Sequence, residues 1–157
     1  MNMRRVATGA LLVFFGTALA FAHPGTQEQG RFSVAGLNDA EAEAFFVLFR
    51  DAIATGDKKK VASLVNYPIR VSLKSGRGQT IGNSAEFIRS YDRIFYAEFK
   101  AIATKTDVRE LWAKSSGVAM PRGEIWFSGI VKNAKRPEKY AIKIIAINGS
   151  IRSSVAR

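Results

Sequence analysis

Helical and strand-forming patterns occupy different parts of this chain, and this separation constrains its fold more than any other feature. Apolar residues recur at helical spacing over 42–53 and again over 87–95. After Thr106 the patterns are typical of strands, and 140–147 is almost continuously apolar. Helices followed by a run of strands are typical of an α+β domain. We therefore expect three N-terminal helices packed on one face of a curved, mostly antiparallel sheet.

Capping and turn residues indicate where the elements begin and end. Asn38 with Glu41, and Asn83 with Glu86, have the capping-box spacing that begins a helix. Gly56 is placed to end the first helix in a left-handed turn. The expected helices are 38–56, 57–67 and 83–95, the last continuing over 97–103, and the expected strands are 69–74, 79–81, 109–120, 124–131 and 140–147.

Residues 1–22 have the pattern of a secretion signal. Arg4 and Arg5 precede an uncharged, mostly apolar run that ends in the small-x-small pattern at Ala20 and Ala22. The run is shorter than the roughly 20 apolar residues of a membrane span, and an uncleaved anchor is the alternative. We expect cleavage after Ala22 and a periplasmic or secreted protein with no transmembrane segment afterwards. A flexible leader over 23–37 and one domain over 38–157 would follow.

The scarcity of cysteine and histidine excludes several kinds of chemistry. The chain has no cysteine, and its one histidine is His23, the expected mature N-terminus. Disulfides, Cys-His catalysis and Ser-His-Asp catalysis are therefore not expected. A transition-metal site lacks its usual ligands, so we expect no metal and no cofactor. No glycine-rich loop follows a predicted strand and opens a helix, which argues against a nucleotide-binding α/β fold.

The chain without its first 22 residues is strongly basic. Loss of Arg4 and Arg5 leaves 22 Lys and Arg against 13 Asp and Glu, a net charge of +9. This balance favours an acidic protein or an anionic envelope surface as partner. Export argues against nucleic acid. The alternative is a solvated basic surface that keeps the protein soluble.

Several local strings resemble exported members of the nuclear transport factor 2-like superfamily. They are 51–57 (DAIATGD), 65–71 (VNYPIRV), 91–95 (YDRIF), 123–127 (GEIWF) and 144–148 (IIAIN). The resemblance covers roughly 38–148. It implies a cone-shaped, cystatin-like fold in which three helices and a strongly bent sheet close over a pocket. Members include isomerases, dehydratases, hydrolases, adaptors, toxin-neutralising proteins and binders, so the fold alone does not assign a function.

Five residues are candidates for a ligand-binding site in such a pocket: Tyr67, Tyr91, Asp92, Trp112 and Trp126. Asp92 is also the candidate catalytic residue, because desolvation in a pocket would raise its carboxyl pKa toward that of a general acid or base. It lies at the flank of the third helix's apolar stripe. The alternative for Asp92 is a surface ion pair with Arg89, three residues earlier.

The four aromatic candidates each have a second interpretation. Tyr67 lies at a helix-to-strand junction, where a pocket mouth could fall, and Tyr91 lies within the apolar stripe of the third helix. Their hydroxyl groups suit ligand binding, but a core position is the alternative for Tyr91. Trp112 and Trp126 lie on different predicted strands and would either wall an apolar cavity or simply pack.

The last predicted strand is apolar on both faces. Lys143 alternates with Ala141, Ile145 and Ile147, and the other face is formed by 140, 142, 144 and 146. A sheet covered by helices on one side should not be apolar on the other. A homodimer through this face is the simplest explanation, and a strongly bent sheet is the alternative.

Three functions are consistent with these patterns. The first is a non-enzymatic exported domain that holds a small apolar or amphipathic ligand, since the pocket-forming elements are apolar and aromatic. The second is a protein-interaction or inhibitor module that uses the basic surface. The third is an acid–base enzyme of isomerase, dehydratase or hydrolase type that uses Asp92 with Tyr67 or Tyr91.

Overall fold

A computed structural model describes residues 30–132, 134–135 and 139–150. The predicted secretion signal and residues 23–29 of the predicted leader, including His23, lie outside the described residues. The helices are α1 (Asp39–Thr55), α2 (Lys58–Ser63), α3 (Ser84–Ile94) and α4 (Ala97–Lys105), with 3₁₀ turns at Ser33–Ala35 and Val108–Glu110. The strands are β1 (Val65–Ser72), β2 (Gly78–Ile81), β3 (Trp112–Lys114), β4 (Gly117–Ala119), β5 (Ile125–Val131) and β6 (Tyr140–Asn148).

The six strands form one mixed, open sheet in the order β2-β1-β6-β5-β4-β3. Strands β1 and β6 pair in parallel, and every other neighbouring pair is antiparallel. The helices pack against this sheet, so the α+β class is confirmed in the described residues. The cone shape and its strong curvature stay predictions.

The helix boundaries follow from their capping residues. The side-chain oxygen of Asn38 accepts the N–H of Glu41 at 3.2 Å, and that of Asn83 accepts the N–H of Glu86 at 3.0 Å. Each bond satisfies a backbone donor that the first turn of a helix leaves free. Gly56 ends α1 in the left-handed conformation, with φ of 70°. The predicted starts of these two helices are confirmed.

Aromatic side chains fill the space between the helices and the sheet. Seven phenylalanines and Tyr91 are fully or almost fully buried there: Phe32, Phe46, Phe49, Phe87, Phe95, Phe99 and Phe127. Phe95 lies at the centre of this group, because its ring contacts those of Phe49, Phe87, Tyr91 and Phe99. The side of the sheet that faces the helices is therefore closed by packed rings.

Two apolar side chains of the segment 30–37, Phe32 and Leu37, pack in the core. Phe32 is 1% exposed and Leu37 is also buried. The carboxylate of Asp39 accepts the backbone N–H groups of Arg31 and Phe32 at 2.8 and 2.9 Å, which ties this segment to the start of α1. The polar, glycine-containing composition of 23–37 concealed this packing.

The third predicted helix does not continue over 97–103. Helix α3 ends at Ile94, Phe95 leaves helical geometry with ψ of 69°, and α4 begins separately at Ala97. The predicted strand over 109–120 is also wrong, since it divides into the short hairpin β3–β4. Gly117 begins β4 at φ of 139°, where an added Cβ would lie 2.6 Å from the carbonyl oxygen of Phe127.

A β-bulge changes the faces predicted for β6. Trp126 pairs with Ala146 but Phe127 pairs with Ile144, so Ile145 is the extra residue of the bulge. Because of it, Ile144 and Ile147 both face the helices and are buried. The predicted position of Ile147 on the same face as residue 143 is therefore wrong.

In the part of the chain that the structure describes, no helix has the length and apolar character needed to span a bilayer.

Candidate functional site

The five predicted site residues separate into two groups. Tyr91 contacts Phe95, Tyr67 contacts Phe87, and these two phenylalanines contact each other between the helices. Asp92 follows Tyr91 on α3. Trp112 and Trp126 instead contact each other on β3 and β5. The described cavities include none that both groups line.

Asp92 is an exposed ion-pair residue. Its side chain is 65% exposed, and its carboxylate accepts hydrogen bonds from Lys58 at 2.5 Å and Lys100 at 3.5 Å. The hydrogen bond from Lys58 lowers the pKa of Asp92, and the charges of both lysines act in the same direction. The expected rise in this pKa by desolvation is therefore wrong, because Asp92 lies at the surface. Its partners are lysines of α2 and α4 rather than Arg89.

Tyr91 is a core residue with an unusual hydroxyl group. The residue is fully buried, and its hydroxyl has no hydrogen-bond partner among the described residues. The ammonium groups of Lys58 and Lys100 lie 5.4 and 5.1 Å from the centre of its ring, within the range of cation–π attraction. Burial raises the pKa of Tyr91 to about 12. The hydroxyl is therefore neutral at physiological pH and adds a desolvation cost to folding.

Tyr67 uses its hydroxyl within the fold. The hydroxyl donates to the carbonyl oxygen of Ala62 at 3.0 Å, and the ring packs edge-on against Phe87 at 6.1 Å between centres. Burial raises the pKa of Tyr67 to about 12. This side chain joins α2 to β1, and its hydroxyl stays protonated near neutral pH.

We expect opposite effects from removing these two hydroxyl groups. Tyr91→Phe removes an unpaired buried group and should raise the free energy of unfolding by about 1 kcal/mol, whereas Tyr67→Phe leaves a carbonyl unpaired and should lower it by a similar amount. An unfolded tyrosine ionises near pH 10 and folded Tyr91 near 12, so stability falls as pH rises through this window. Tyr91→Phe should reduce that fall. Urea unfolding at neutral and alkaline pH measures both effects, and a loss of stability in Tyr91→Phe at neutral pH would contradict the assignment.

Trp112 and Trp126 form an edge-to-face pair with ring centres 5.0 Å apart. The indole N–H of Trp112 donates to the carbonyl oxygen of Met120 at 3.0 Å, and the ammonium group of Lys114 lies 4.6 Å from the Trp126 ring centre. Trp126 lines a shallow cavity of about 240 Å³ with Lys114, Ser116, Ile145 and Ala146. The pair therefore covers part of the sheet instead of walling an interior pocket.

The most chemically distinctive cavity is one that the sequence patterns did not predict. We call it the α4 groove, because it lies between α4 and the turn that joins β4 to β5. Its volume is about 380 Å³, within the range of small-molecule sites. It is lined by Ala101, Ile102, Lys105, Thr106, Glu110, Pro121, Arg122 and Glu124.

Two of the three buried polar residues in the described part of the chain line the α4 groove. These are Thr106 and Glu124, and the third is Ser90. The hydroxyl of Thr106 donates to the carbonyl oxygen of Ile102 at 2.9 Å. Buried polar groups are more informative about function than exposed ones, because burial is costly for them.

The side chain of Glu124, a lining residue of the groove, is held by two hydrogen bonds from Arg122 in the preceding turn. It is 1% exposed, and one carboxylate oxygen accepts the backbone N–H of Arg122 at 3.0 Å while the other accepts Nε of Arg122 at 3.1 Å. Gly123 makes the tight turn possible with φ of 78°. The carbonyl oxygen of Glu124 accepts the N–H of Asn148, which anchors the start of β5 to the end of β6.

The carboxylate of Glu124 has acceptor capacity that its protein contacts do not use. A carboxylate has about four lone-pair sites, and the described contacts of Glu124 use one site on each oxygen. The signal in the sequence was a single acidic residue at the start of an apolar strand. Because a charge beside a Pro-Arg-Gly turn is usually solvated, the pattern alone does not indicate this burial.

Within 30–132, 134–135 and 139–150, no three His, Cys, Asp or Glu side chains come together as a metal site would require. Comparisons of the chain with protein-family models, with curated proteins and with solved structures found no match. The chemistry of the α4 groove therefore carries the functional proposal.

Proposed function

We propose that this protein is an exported binding domain that holds a small amphipathic ligand in the α4 groove. The observation that carries the proposal is Glu124, an acidic residue that is 1% exposed and yet belongs to the lining of a cavity. A buried charge is costly unless it is paired. Arg122 supplies one partner, and a ligand donor would supply the second.

The lining of the groove indicates the chemical class of the ligand. Ala101, Ile102 and Pro121 provide an apolar surface, and Glu124 provides the acceptor. A molecule with a short apolar body and an ammonium or other N–H donor matches both. The ammonium form is favoured, because hydrogen bonds between charged groups are about twice as strong as neutral ones.

An interior pocket lined by Tyr67, Tyr91, Trp112 and Trp126 receives less support than the α4 groove. The rings of the two tyrosines pack against phenylalanines, and the two tryptophans cover the sheet. The acid–base enzyme receives less support as well. Asp92 is exposed with a lowered pKa, and the tyrosine hydroxyls hold their protons to about pH 12.

Native mass spectrometry of the protein purified from its own host, together with amine probes, tests the proposal. We expect a non-covalent adduct on the wild type that is lost in Glu124→Gln. In nitrogen-15 NMR titrations, hexylammonium should shift the amide signals of Thr106 and Gly123, and hexanoate should not. Glu124→Gln should weaken hexylammonium binding by about tenfold or more, since it removes a charged hydrogen bond.

Two further variants keep this test interpretable. Ala101→Trp reduces the volume of the groove while keeping both Glu124 and Arg122 in the chain, and it should also block the probe. Asp51→Asn removes an exposed carboxyl of α1 that does not line the groove, and it should leave binding unchanged. An adduct retained in both Glu124→Gln and Ala101→Trp would overturn the proposal, as would probe shifts confined to core residues.

Dimerisation through the outer face of the sheet remains a separate proposal. Trp126, Ile130, Ala141, Ile145 and Ala146 are partly exposed on the side of the sheet opposite Phe127 and Ile144, which are buried under the helices. We expect a two-chain mass by light scattering for the wild type and a one-chain mass for Ile145→Glu. A one-chain mass for the wild type at micromolar concentration would rule the dimer out.

A further inference from the structure

A second groove lies between the β1–β2 turn and the last turn of α3. We call it the basic groove. Its volume is about 480 Å³, and it is lined by Leu73, Lys74, Ser75, Arg77, Asp92, Arg93 and Tyr96. It shares no lining residue with the α4 groove, so a ligand in one does not occupy the other.

The two carboxylates at the basic groove are already bound by lysines. Asp92 accepts from Lys58 and Lys100, and Glu98 accepts from Lys74 at 2.8 Å. In both carboxyls the hydrogen bond from lysine is the main cause of a lowered pKa. Both are therefore ionised near neutral pH and neutralised by neighbours rather than available to other cations.

Arg77 and Arg93 are left without a carboxylate partner. Among the residues that the structure describes, no carboxylate lies within ion-pair distance of either guanidinium. Arg77 belongs to the β1–β2 turn and Arg93 to α3, so they approach the groove from different elements. The lining of the groove holds three cations, Lys74, Arg77 and Arg93, against one carboxylate, Asp92, a net charge of +2.

The aromatic ring at the basic groove is not free to stack on a nucleobase. The hydroxyl of Tyr96 donates to the carbonyl oxygen of Gly149 at 2.8 Å, and the ammonium group of Lys74 lies 4.7 Å from its ring centre. Single-stranded nucleic acids bind through exposed aromatic faces together with cations. The groove provides the cations without the free face.

The basic groove also lacks the apolar side chains of a membrane-binding surface. The exposed large hydrophobic residues in the described part of the chain are Val34, Leu48, Trp112 and Val131, and none of them lines this groove. Peripheral membrane binding combines cations with apolar side chains that enter the bilayer. A concave basic site fits a protruding acidic side chain better than a flat lipid surface.

We propose that the basic groove binds an acidic segment of a partner protein. The planar guanidinium group matches a carboxylate with two parallel hydrogen bonds, and Arg77 and Arg93 are the groups free to form them. The surrounding positive charge accelerates the encounter with an acidic chain. The partner segment therefore carries at least two Asp or Glu residues, one for each arginine.

A fluorescent hexaglutamate peptide tests this interaction directly. We expect it to bind the wild type in low salt and to dissociate in high salt. Arg77→Gln/Arg93→Gln should weaken binding by about tenfold or more, since it removes both free guanidinium groups. Arg77→Lys/Arg93→Lys keeps the charge without the planar group and should give an intermediate affinity. Circular dichroism checks that each variant remains folded.

A charge-matched control separates the groove from the general basic surface. Lys132→Gln/Lys139→Gln removes the same net charge from exposed positions between β5 and β6, and we expect affinity within about twofold of the wild type. If this control loses as much affinity for the peptide as Arg77→Gln/Arg93→Gln does, the peptide binds the general basic surface and the proposal is overturned. If the wild type binds phosphatidylglycerol vesicles but not the peptide, and Arg77→Gln/Arg93→Gln loses the vesicle binding, the proposal is overturned in favour of a membrane surface. Displacement of the peptide by equimolar inorganic phosphate would indicate a small-anion site instead.

Discussion

Phe95→Ala will lower the free energy of unfolding by about 3–5 kcal/mol, the range typical of a phenylalanine truncated in a packed core. The ring of Phe95 is fully buried and lies 5.0 to 6.2 Å, centre to centre, from four other aromatic rings. Those rings belong to α1, α3 and α4. Because large planar side chains collapse poorly into a void, most of the cavity should persist. Urea unfolding followed by circular dichroism measures the loss.

Two companion variants show whether the effect of Phe95→Ala comes from packing. Phe95→Leu keeps part of the volume and should cost about 1–2 kcal/mol. Leu48→Ala truncates an apolar side chain of α1 that is 40% exposed and should cost about 1 kcal/mol or less. Similar losses at Phe95 and Leu48 would contradict the central position of Phe95.

Gly117→Ala will cost about 3 kcal/mol or more, because strained backbone and a backbone clash act together at one residue. Gly117 has φ of 139°, a conformation that side chains rarely permit. The new Cβ would lie 2.6 Å from the carbonyl oxygen of Phe127 and 3.3 Å from Cβ of Ser128. Strands β4 and β5 cannot separate to relieve this clash without losing their backbone pairing.

Gly36→Ala is the matched control for Gly117→Ala. Gly36 also has a positive φ, of 68°, but nothing lies within 4 Å of its added Cβ. This variant should therefore cost only the conformational penalty of about 1–2 kcal/mol. Thermal unfolding of both variants compares them directly. If Gly36→Ala is the more damaging of the two, the contact with Phe127 is not the cause.

The parts of the fold that were predicted from the sequence depend on signals within a few residues of one another. Asn38 and Asn83 each accept the N–H three residues later, and Gly56 adopts the conformation that it alone adopts readily. The alternation of apolar residues likewise predicted a strand over 69–74, which overlaps β1, whereas 65–67, predicted as the end of the second helix, belong to β1. Such signals are local, because a capping bond or an amphipathic face needs no knowledge of the remaining chain.

The errors came from contacts that the local patterns do not indicate. Phe32 is buried because Asp39 holds its backbone beside α1, and nothing in the local composition indicates this bond. The break between α3 and α4 falls at Phe95, whose ring packs against Phe49 of α1, a contact that periodicity alone does not report. The bulge at Ile145 appears only when β5 and β6 are paired. Each case is a tertiary constraint that overrides a local preference.

The candidate site was less predictable than the fold. Asp92 was expected to bind Arg89 or to enter a pocket, but lysines from α2 and α4 reach it first. Glu124 was not selected, since a carboxylate beside a turn is normally solvated. Its burial depends on the approach of α4 and on the turn formed by Gly123. Sequence spacing identifies the residue types of a site more easily than their exposure.

The position of β6 has a consequence for the order in which the chain folds. This strand lies between β1 and β5, and its pairing with β1 is parallel and joins residues about 75 positions apart, as in Val71 with Ile147. A chain that has been synthesised only as far as β5 holds two separate ladders, β2–β1 and β5–β4–β3, with no strand to join them. Among the described strands β6 is the last to be synthesised, and it is the one that joins the two ladders, so formation of this sheet is a late, cooperative event.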